Sequence, residues 1–282
     1  MLIIRTIDEL KKWRLQQQTK ISFIPTMGFL HEGHLSLIKK AHQLSKVVVV
    51  SIFINPLQFN NAHDLDNYPE KITQDLDILK ERNVDMVFLP AKEEVYPNGE
   101  PKIKLVYPTL MKQMCGKYRE NHFEGVLLIC YKFFCWLQPQ FAIFGLKDYQ
   151  QYRLVKQMSI DLELGVDIIA SPLIRDENGL ALSSRNSRLS PIALKKSLLI
   201  NKTLFEAKKM LEEKQKIAII REFLQKELIQ NTNDYADVYL EGTLTPIGNQ
   251  DLESTTILIA AAVTIDGVRL IDNILIHDYS QS

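Results

Sequence analysis

Ile21-Ser22-Phe23-Ile24-Pro25-Thr26-Met27-Gly28-Phe29-Leu30-His31-Glu32-Gly33-His34 is the stretch on which the reading of this chain turns. Ile21 to Ile24 has the make-up of a buried strand, Pro25 to Gly28 break it, and Leu35, Leu37, Ile38, Ala41 and Leu44 recur at helical spacing. His31 and His34, three residues apart, are expected on one face of the helix's first turn, beside its unpaired backbone N–H groups. Those donors and the positive end of the macrodipole favour an anion. An imidazolium there would add charge that can follow a phosphate into its transition state. The pattern points to a nucleoside-triphosphate site. With six His and eleven Gly in 282 residues, only about 0.005 chance matches to His-x-Gly-His are expected, so accident explains it poorly. A solvated surface pair ranks second. A zinc pair ranks last, because zinc on a helix prefers i,i+4 spacing with a third ligand, and Gly33 would weaken such a helix.

Outward from this unit, strand and helix signals alternate for about 170 residues. Val47 to Phe53 is an unbroken apolar run, as in a parallel strand covered on both faces. Ile72–Leu79 reads as a helix, Met86–Leu89 as a strand, Phe123–Leu137 as a helix and Phe141–Phe144 as a strand. Tyr149–Leu162 is a further helix and Val166–Ala170 a fifth strand. This rhythm predicts an α/β fold with a doubly wound parallel sheet, whose ligands sit beyond the carboxyl ends of the strands. The pattern changes near Pro172. Ser190-Pro191 is an N-cap followed by Pro at the first helical position, opening charged helices over Ile192–Glu213 and Ile217–Gln230. Tyr235–Leu240, Ile257–Val263 and Val268–Ile274 then read as a small antiparallel sheet, with Asp266-Gly267 as a hairpin turn. Two domains are expected, residues 1–174 and a smaller α+β domain over residues 175–282.

Composition narrows the function. Lys and Arg number 34 and so do Asp and Glu, giving zero formal net charge, so no bulk attraction to nucleic acid or to an anionic membrane is expected. Hydrophobic residues make up 46% and charged residues 24%, the balance of a soluble globular protein. Cys115, Cys130 and Cys135 form no CxxC pair, and the last two fall in an apolar segment where Cys acts as a small hydrophobe. Gly125–Leu137, the most apolar stretch, is too short to span a bilayer, and Met1–Thr6 lacks signal-peptide order, so a cytoplasmic protein is expected. Neither a GxxxxGK[ST] loop nor a GxGxxG fingerprint occurs.

Polar clusters follow the predicted strands and are expected to share one cleft. His31 and His34 follow the first, Asn55 to Phe59 the second, Gly145-Leu146-Lys147-Asp148 with Gln150 and Gln151 the fourth, and Arg175-Asp176 the fifth. Asn55 and Gln58 are neutral donors and acceptors suited to a hydroxyl or carboxylate, although Asn55 before Pro56 reads nearly as well as a turn cap. Lys147 offers a point charge to a phosphate, and Asp148 a partner for a ribose hydroxyl or for the lysine. Leu182-Ser183-Ser184-Arg185-Asn186 places two hydroxyls beside a guanidinium, with Gly179 able to let that loop move. Trp13 and Trp136 read as packing residues.

These segments, in this order, resemble the pantothenate synthetase (pantoate–β-alanine ligase) family. The likeness covers nearly the whole chain, through Pro25–His34, Ser51–Phe59, Cys115-Gly116-Lys117, Phe144–Gln151, Ser183–Asn186 and Val268–Asn273. The His-x-Gly-His element alone is shared with class I aminoacyl-tRNA synthetases and other nucleotidyltransferases. The resemblance implies a Rossmann-like fold and a homodimeric cytosolic enzyme of coenzyme A precursor synthesis. It implies that Mg²⁺-ATP adenylates (R)-pantoate, releasing pyrophosphate, and that β-alanine then displaces AMP. ATP contacts are implied at Met27, Gly28, Phe29, Leu30, His31, Glu32, Gly33, His34, Gly145, Leu146, Lys147, Asp148, Ile174, Leu182, Ser183, Ser184 and Arg185. Substrate contacts are implied at Gln58 and Gln151, with Asn55 beside them. His34 stands at the position of the catalytic proton donor. His31 and His34 are expected at the α-phosphate, and Lys147, Ser183, Ser184 and Arg185 on the triphosphate. Mg²⁺ bridging phosphate oxygens needs no dedicated protein cage, so no metal ligands are assigned. Leu182 stands for a usual Met, Leu146 for a frequent Glu or Gln, Asn121 for a usual Gly or Thr, and Leu128 for a usual Thr. A different nucleotidyltransferase and a non-catalytic nucleotide-binding protein are the rival readings.

Overall fold

Val47–Ile52 lies inside a sheet, as its unbroken apolarity requires: Val48, Val49 and Val50 are all fully buried. The computed structural model describes residues 1–60, 62–229, 234–248 and 255–279. Its elements run, in chain order, β1 (Leu2–Ile4), α1 (Ile7–Leu15), β2 (Ile21–Thr26), α2 (Glu32–Leu44), β3 (Val47–Ile52), α3 (Ala62–Asp66), α4 (Ile72–Glu81), β4 (Met86–Phe88) and α5 (Lys92–Val95). They continue with α6 (Met114–Tyr118), α7 (His122–Leu137), β5 (Phe141–Gly145), α8 (Tyr149–Asp161), β6 (Asp167–Ser171), α9 (Pro191–Glu212), α10 (Ile217–Leu228), β7 (Tyr235–Leu240), β8 (Thr255–Ile265) and β9 (Val268–Tyr279). The chain forms two compact units, one of Met1–Tyr107 with Arg119–Leu173, the other of Pro108–Tyr118 with Ile174–Ser282.

The first unit holds a six-stranded parallel sheet in the order β1-β4-β3-β2-β5-β6. Successive residues of β2 face opposite layers. Phe23 meets Phe133 and Phe134 of α7 edge-on, while Ile24 joins Ile38, Ala41, Val48 and Val50 under α2. Trp136 packs edge-on against Phe88 and Phe133, a packing role as expected. From β2 the chain builds outward through β3 and β4, then returns to add β5 and β6 on the other side of β2. The direction of winding therefore reverses between β2 and β5. That switch point is where a doubly wound sheet opens a crevice at its carboxyl edge.

β1 and α1 lie outside the expected alternation, which begins at Ile21. Three residues are too few to show periodicity, and α1 is mostly polar. Its signal is the capping box: Thr6 Oγ1 accepts from Glu9 N at 3.3 Å, and the Glu9 carboxylate accepts from Thr6 N at 3.3 Å.

The second unit packs α9 and α10 on the antiparallel sheet β7-β8-β9, burying Leu204, Leu211, Ile220, Leu224, Val238 and Ile259 completely. Asp266 and Gly267 both take left-handed backbone (φ 49° and 77°), as the two-residue hairpin between β8 and β9 needs. The expected helix end at Gln230 lies outside the described residues.

Candidate active site

The carboxyl end of β2 turns through a tight bend into α2. Thr26 Oγ1 donates to Ser51 O at 2.6 Å and accepts from Gly28 N at 3.2 Å, tying the bend to β3. Gly28 has φ 81°, and a Cβ there would stand 3.0 Å from an Asp75 oxygen and 3.1 Å from Ile52, so only glycine fits. Asp75, buried on α4, accepts the next two amides, Phe29 N and Leu30 N, each at 2.8 Å. Sequence reading did not single out Asp75. Its one available signal is an acidic residue at a core-facing position of α4.

His31 is not inside the helix but is its N-cap. Its Nδ1 accepts from Gly33 N at 3.2 Å, and His34 Nδ1 accepts from His31 N at 3.3 Å, a reciprocal capping box built from two imidazoles. The rings lie 4.1 Å apart, tilted by 38°. Because each Nδ1 receives an N–H, each neutral ring carries its proton on Nε2 and presents an Nε2–H donor.

Burial, then Lys147, pushes His31 down to about 4, with Asp148 opposing weakly. Burial, then His31 and Lys147, holds His34 well below the usual histidine range. The expected imidazolium is therefore corrected: at neutral pH both rings are uncharged donors. Burial and the neighbouring lysine both disfavour a second proton on either ring.

Lys147 and Asp148 lie in a single 3₁₀ turn after β5, with Lys147 Nζ 3.2 Å from Asp148 Oδ2. Lys147 is close enough to act electrostatically on both histidines, so the loops after the switch-point strands β2 and β5 do come together. Gln151 follows on the first turn of α8, half-buried. After β3, Gln58 Nε2 stands 3.0 Å from Met27 Sδ, which joins a third loop to the group. Glu32 is exposed at the first position of α2, and Gly33, Gly145 and Leu146 are half-buried.

Asn55 departs from its expected substrate contact. It is 1% exposed, and Oδ1 accepts from Leu57 N at 3.4 Å and from the Tyr96 hydroxyl at 2.8 Å. Its Nδ2 donates to Gly125 O at 3.0 Å and to Gln58 Oε1 at 3.2 Å. With two donors and two acceptors engaged inside the protein, Asn55 is a turn cap that positions Gln58. The Gln58 carbonyl accepts from His122 Nδ1 at 2.7 Å and Arg119 Nη2 at 3.3 Å. A Cβ on Gly125 would lie 2.3 Å from Leu57 O, so α7 seats directly on this backbone. Asn121, where the family usually has Gly or Thr, takes φ 60°, a conformation asparagine tolerates better than most residues.

In the second unit, Ile174 O accepts from Leu182 N at 3.0 Å, and Arg175 bridges to Ala181, closing a short hairpin. Arg175 grips buried Asp272 of β9 through two bonds, at 2.6 and 2.8 Å, and donates to Gly179 O at 3.0 Å. Ser183 caps the following 3₁₀ turn by accepting from Arg185 N at 3.2 Å; Ser184 is buried, and Leu182 and Arg185 are half-buried. Cys130 is buried, its thiol pushed up to about 12 by that burial, whereas Cys135 is exposed rather than packed. Among the described residues no group of three or more His, Cys, Asp or Glu could hold a metal ion. Nor is any helix among them long and apolar enough to cross a membrane.

A parallel sheet with a His-x-Gly-His cap at its switch point and a lysine from the next strand defines the class: an α/β enzyme that handles nucleotides. The family model described as pantoate-beta-alanine ligase matches residues 2–275. The chain is 40% identical over 282 residues to the pantothenate synthetase of Leptospira interrogans serogroup Icterohaemorrhagiae serovar Lai (strain 56601), covering 97% of this chain and 98% of that one. It belongs to the pantoate–β-alanine ligase family. Its fold matches the crystal structure of pantothenate synthetase from Thermus thermophilus, with TM-score 0.88 and 34% identity over 97% of this chain and 99% of that one. It also matches the pantoate-beta-alanine ligase of Francisella tularensis complexed with beta-gamma ATP and beta-alanine, with TM-score 0.79 and 35% identity over 98% and 97% of the two chains.

Proposed function

We propose that this enzyme joins (R)-pantoate to β-alanine in two steps through a pantoyl-adenylate. The observation that carries the reading is the helix mouth at the switch point, where the two imidazoles cap α2 and Lys147 lies near enough to act on both. In the first step the pantoate carboxylate attacks the α-phosphorus of ATP and pyrophosphate leaves. Such a transfer asks chiefly for positioning and for stabilisation of charge on the phosphoryl oxygens. His34 and His31 donate Nε2–H bonds to those oxygens, where neutral donors act without first losing a bound proton. Lys147, with Ser183, Ser184 and Arg185, is assigned to the triphosphate. Met27, Gly28, Phe29, Leu30, Glu32, Gly33, Gly145, Leu146, Asp148, Ile174 and Leu182 are assigned to the rest of ATP. Gln58 and Gln151 are assigned to pantoate.

In the second step the β-alanine amine attacks the acyl carbon, the acyl–phosphate bond breaks and AMP leaves. Mg²⁺ is read as the counterion that ATP brings on its own phosphate oxygens, and no protein ligand is assigned to it. A cytoplasmic homodimer is part of this reading, supported by family membership and by the use of ATP.

The test is incubation with ATP, Mg²⁺ and pantoate, with and without β-alanine. The reading expects pantoate-dependent pyrophosphate release, with free AMP accumulating at a steady rate only when the amine is present. Steady AMP production without the amine, or pyrophosphate release independent of pantoate, overturns it.

A further inference from the structure

We propose that Asn55, oriented by Gly125 O and Leu57 N and held in place by the Tyr96 hydroxyl, sets which end of the Gln58 amide faces the substrate, making Tyr96 a positioning residue for pantoate. The proposal rests on the assignment of Gln58 to pantoate. Two backbone groups decide the orientation of Asn55. Gly125 O can only accept, so the Asn55 atom 3.0 Å from it is Nδ2; Leu57 N can only donate, so the atom 3.4 Å from it is Oδ1. With Nδ2 so placed, the Gln58 atom 3.2 Å away is its carbonyl oxygen, and the Gln58 amide group points the other way, toward Met27 Sδ at 3.0 Å. Gln58 therefore offers N–H donors to a ligand and withholds its carbonyl, the polarity that suits a carboxylate or an oxygen acceptor.

The bond from Leu57 N is long, so it holds Asn55 weakly. The stronger hold on Oδ1 is the Tyr96 hydroxyl at 2.8 Å, and Tyr96 is 6% exposed. Its ring is fixed by Lys132, whose ammonium lies 4.8 Å from the ring centre and donates to Val95 O at 2.6 Å. Removing the hydroxyl keeps this stacking and leaves Asn55 Oδ1 with only the long bond from Leu57 N.

The test is steady-state kinetics of the full-length enzyme, varying pantoate, ATP and β-alanine in turn. Tyr96→Phe is expected to raise the pantoate KM about fivefold, the scale of one neutral hydrogen bond, with kcat and the ATP KM within about twofold. Asn55→Asp keeps the acceptor for Tyr96 but removes the donor to both Gly125 O and Gln58; in protein whose circular dichroism spectrum is unchanged, the Gln58 amide turns over and presents its carbonyl. Its pantoate KM is expected to rise more than that of Tyr96→Phe. A pantoate KM unmoved in Tyr96→Phe overturns the relay, as does a parallel rise in the pantoate and ATP KM values. If Gln58→Ala leaves the pantoate KM unchanged, the Gln58 assignment falls and takes the relay with it. If Gln58→Ala raises that KM and Tyr96→Phe does not, the relay falls alone.

Discussion

In the first unit His31, His34, Asn55 and Gln58 at the sheet's carboxyl edge are neutral side chains oriented by main-chain groups and by one another, beside the Lys147–Asp148 ion pair. His31 and His34 each spend Nδ1 on a backbone N–H, and Asn55 locks Gln58 without any charge. In the second unit the loop bearing Ser183 to Arg185 is anchored through charge, by the bidentate Arg175–Asp272 pair and by Asp176, which accepts from Asn178 N and Leu180 N at 2.9 Å each. The contrast has a physical basis. A neutral donor fixed by the backbone needs no reorganisation when charge develops on a phosphate, so it suits the reacting centre. An ion pair holds a loop strongly only if both partners stay together, so it suits an anchor.

That difference can be broken from the second unit first. Arg175→Ala leaves the Asp272 carboxylate, 3% exposed, without its guanidinium. A loss of about 3–5 kcal/mol in unfolding free energy is expected from denaturant titration. The next largest effect falls in the first unit. His34→Ala should cut pantoate-dependent pyrophosphate release by about 10²–10³, with the circular dichroism spectrum unchanged. Asp75→Asn turns an NH₂ toward one of two backbone donors, and is expected to cost about 2 kcal/mol of stability and to raise the ATP KM.

The smallest effect is on pH dependence. A histidine lowered to about 4 binds fewer protons folded than unfolded between that value and about 6.5, so stability falls as pH drops through this window. His31→Asn keeps an N-cap acceptor and cannot titrate, so its stability curve should be flatter there than that of the unchanged protein. Equal slopes would show that His31 is not buried as a neutral ring.

Much of the first unit was legible from local pattern. The unbroken valines required a strand covered on both faces, and the His-x-Gly-His element marked a helix start. Clusters after successive strands had to share an edge once the sheet was parallel. What escaped depends on groups distant in sequence. Asp75 serves amides 45 and 46 residues away, and Asn55 is consumed by Gly125 and Tyr96 rather than by ligand. The protonation state of the histidines escaped for the same reason, since spacing reports a shared face but not burial or a neighbouring lysine. Likewise Pro108–Tyr118 belongs with the second unit through long-range contacts, among them Tyr118 stacked on Tyr235 and Cys115 Sγ 3.3 Å from the Tyr235 hydroxyl.

The most direct measurement is a ¹⁵N NMR titration of the two imidazoles in the enzyme without substrates. Both rings should show a bare Nδ1 and a protonated Nε2 at neutral pH, and His31 should keep that state down to about 5. A ring that gains a second proton near pH 6.5, or that carries its proton on Nδ1, would contradict the picture of a helix mouth lined with fixed, uncharged donors.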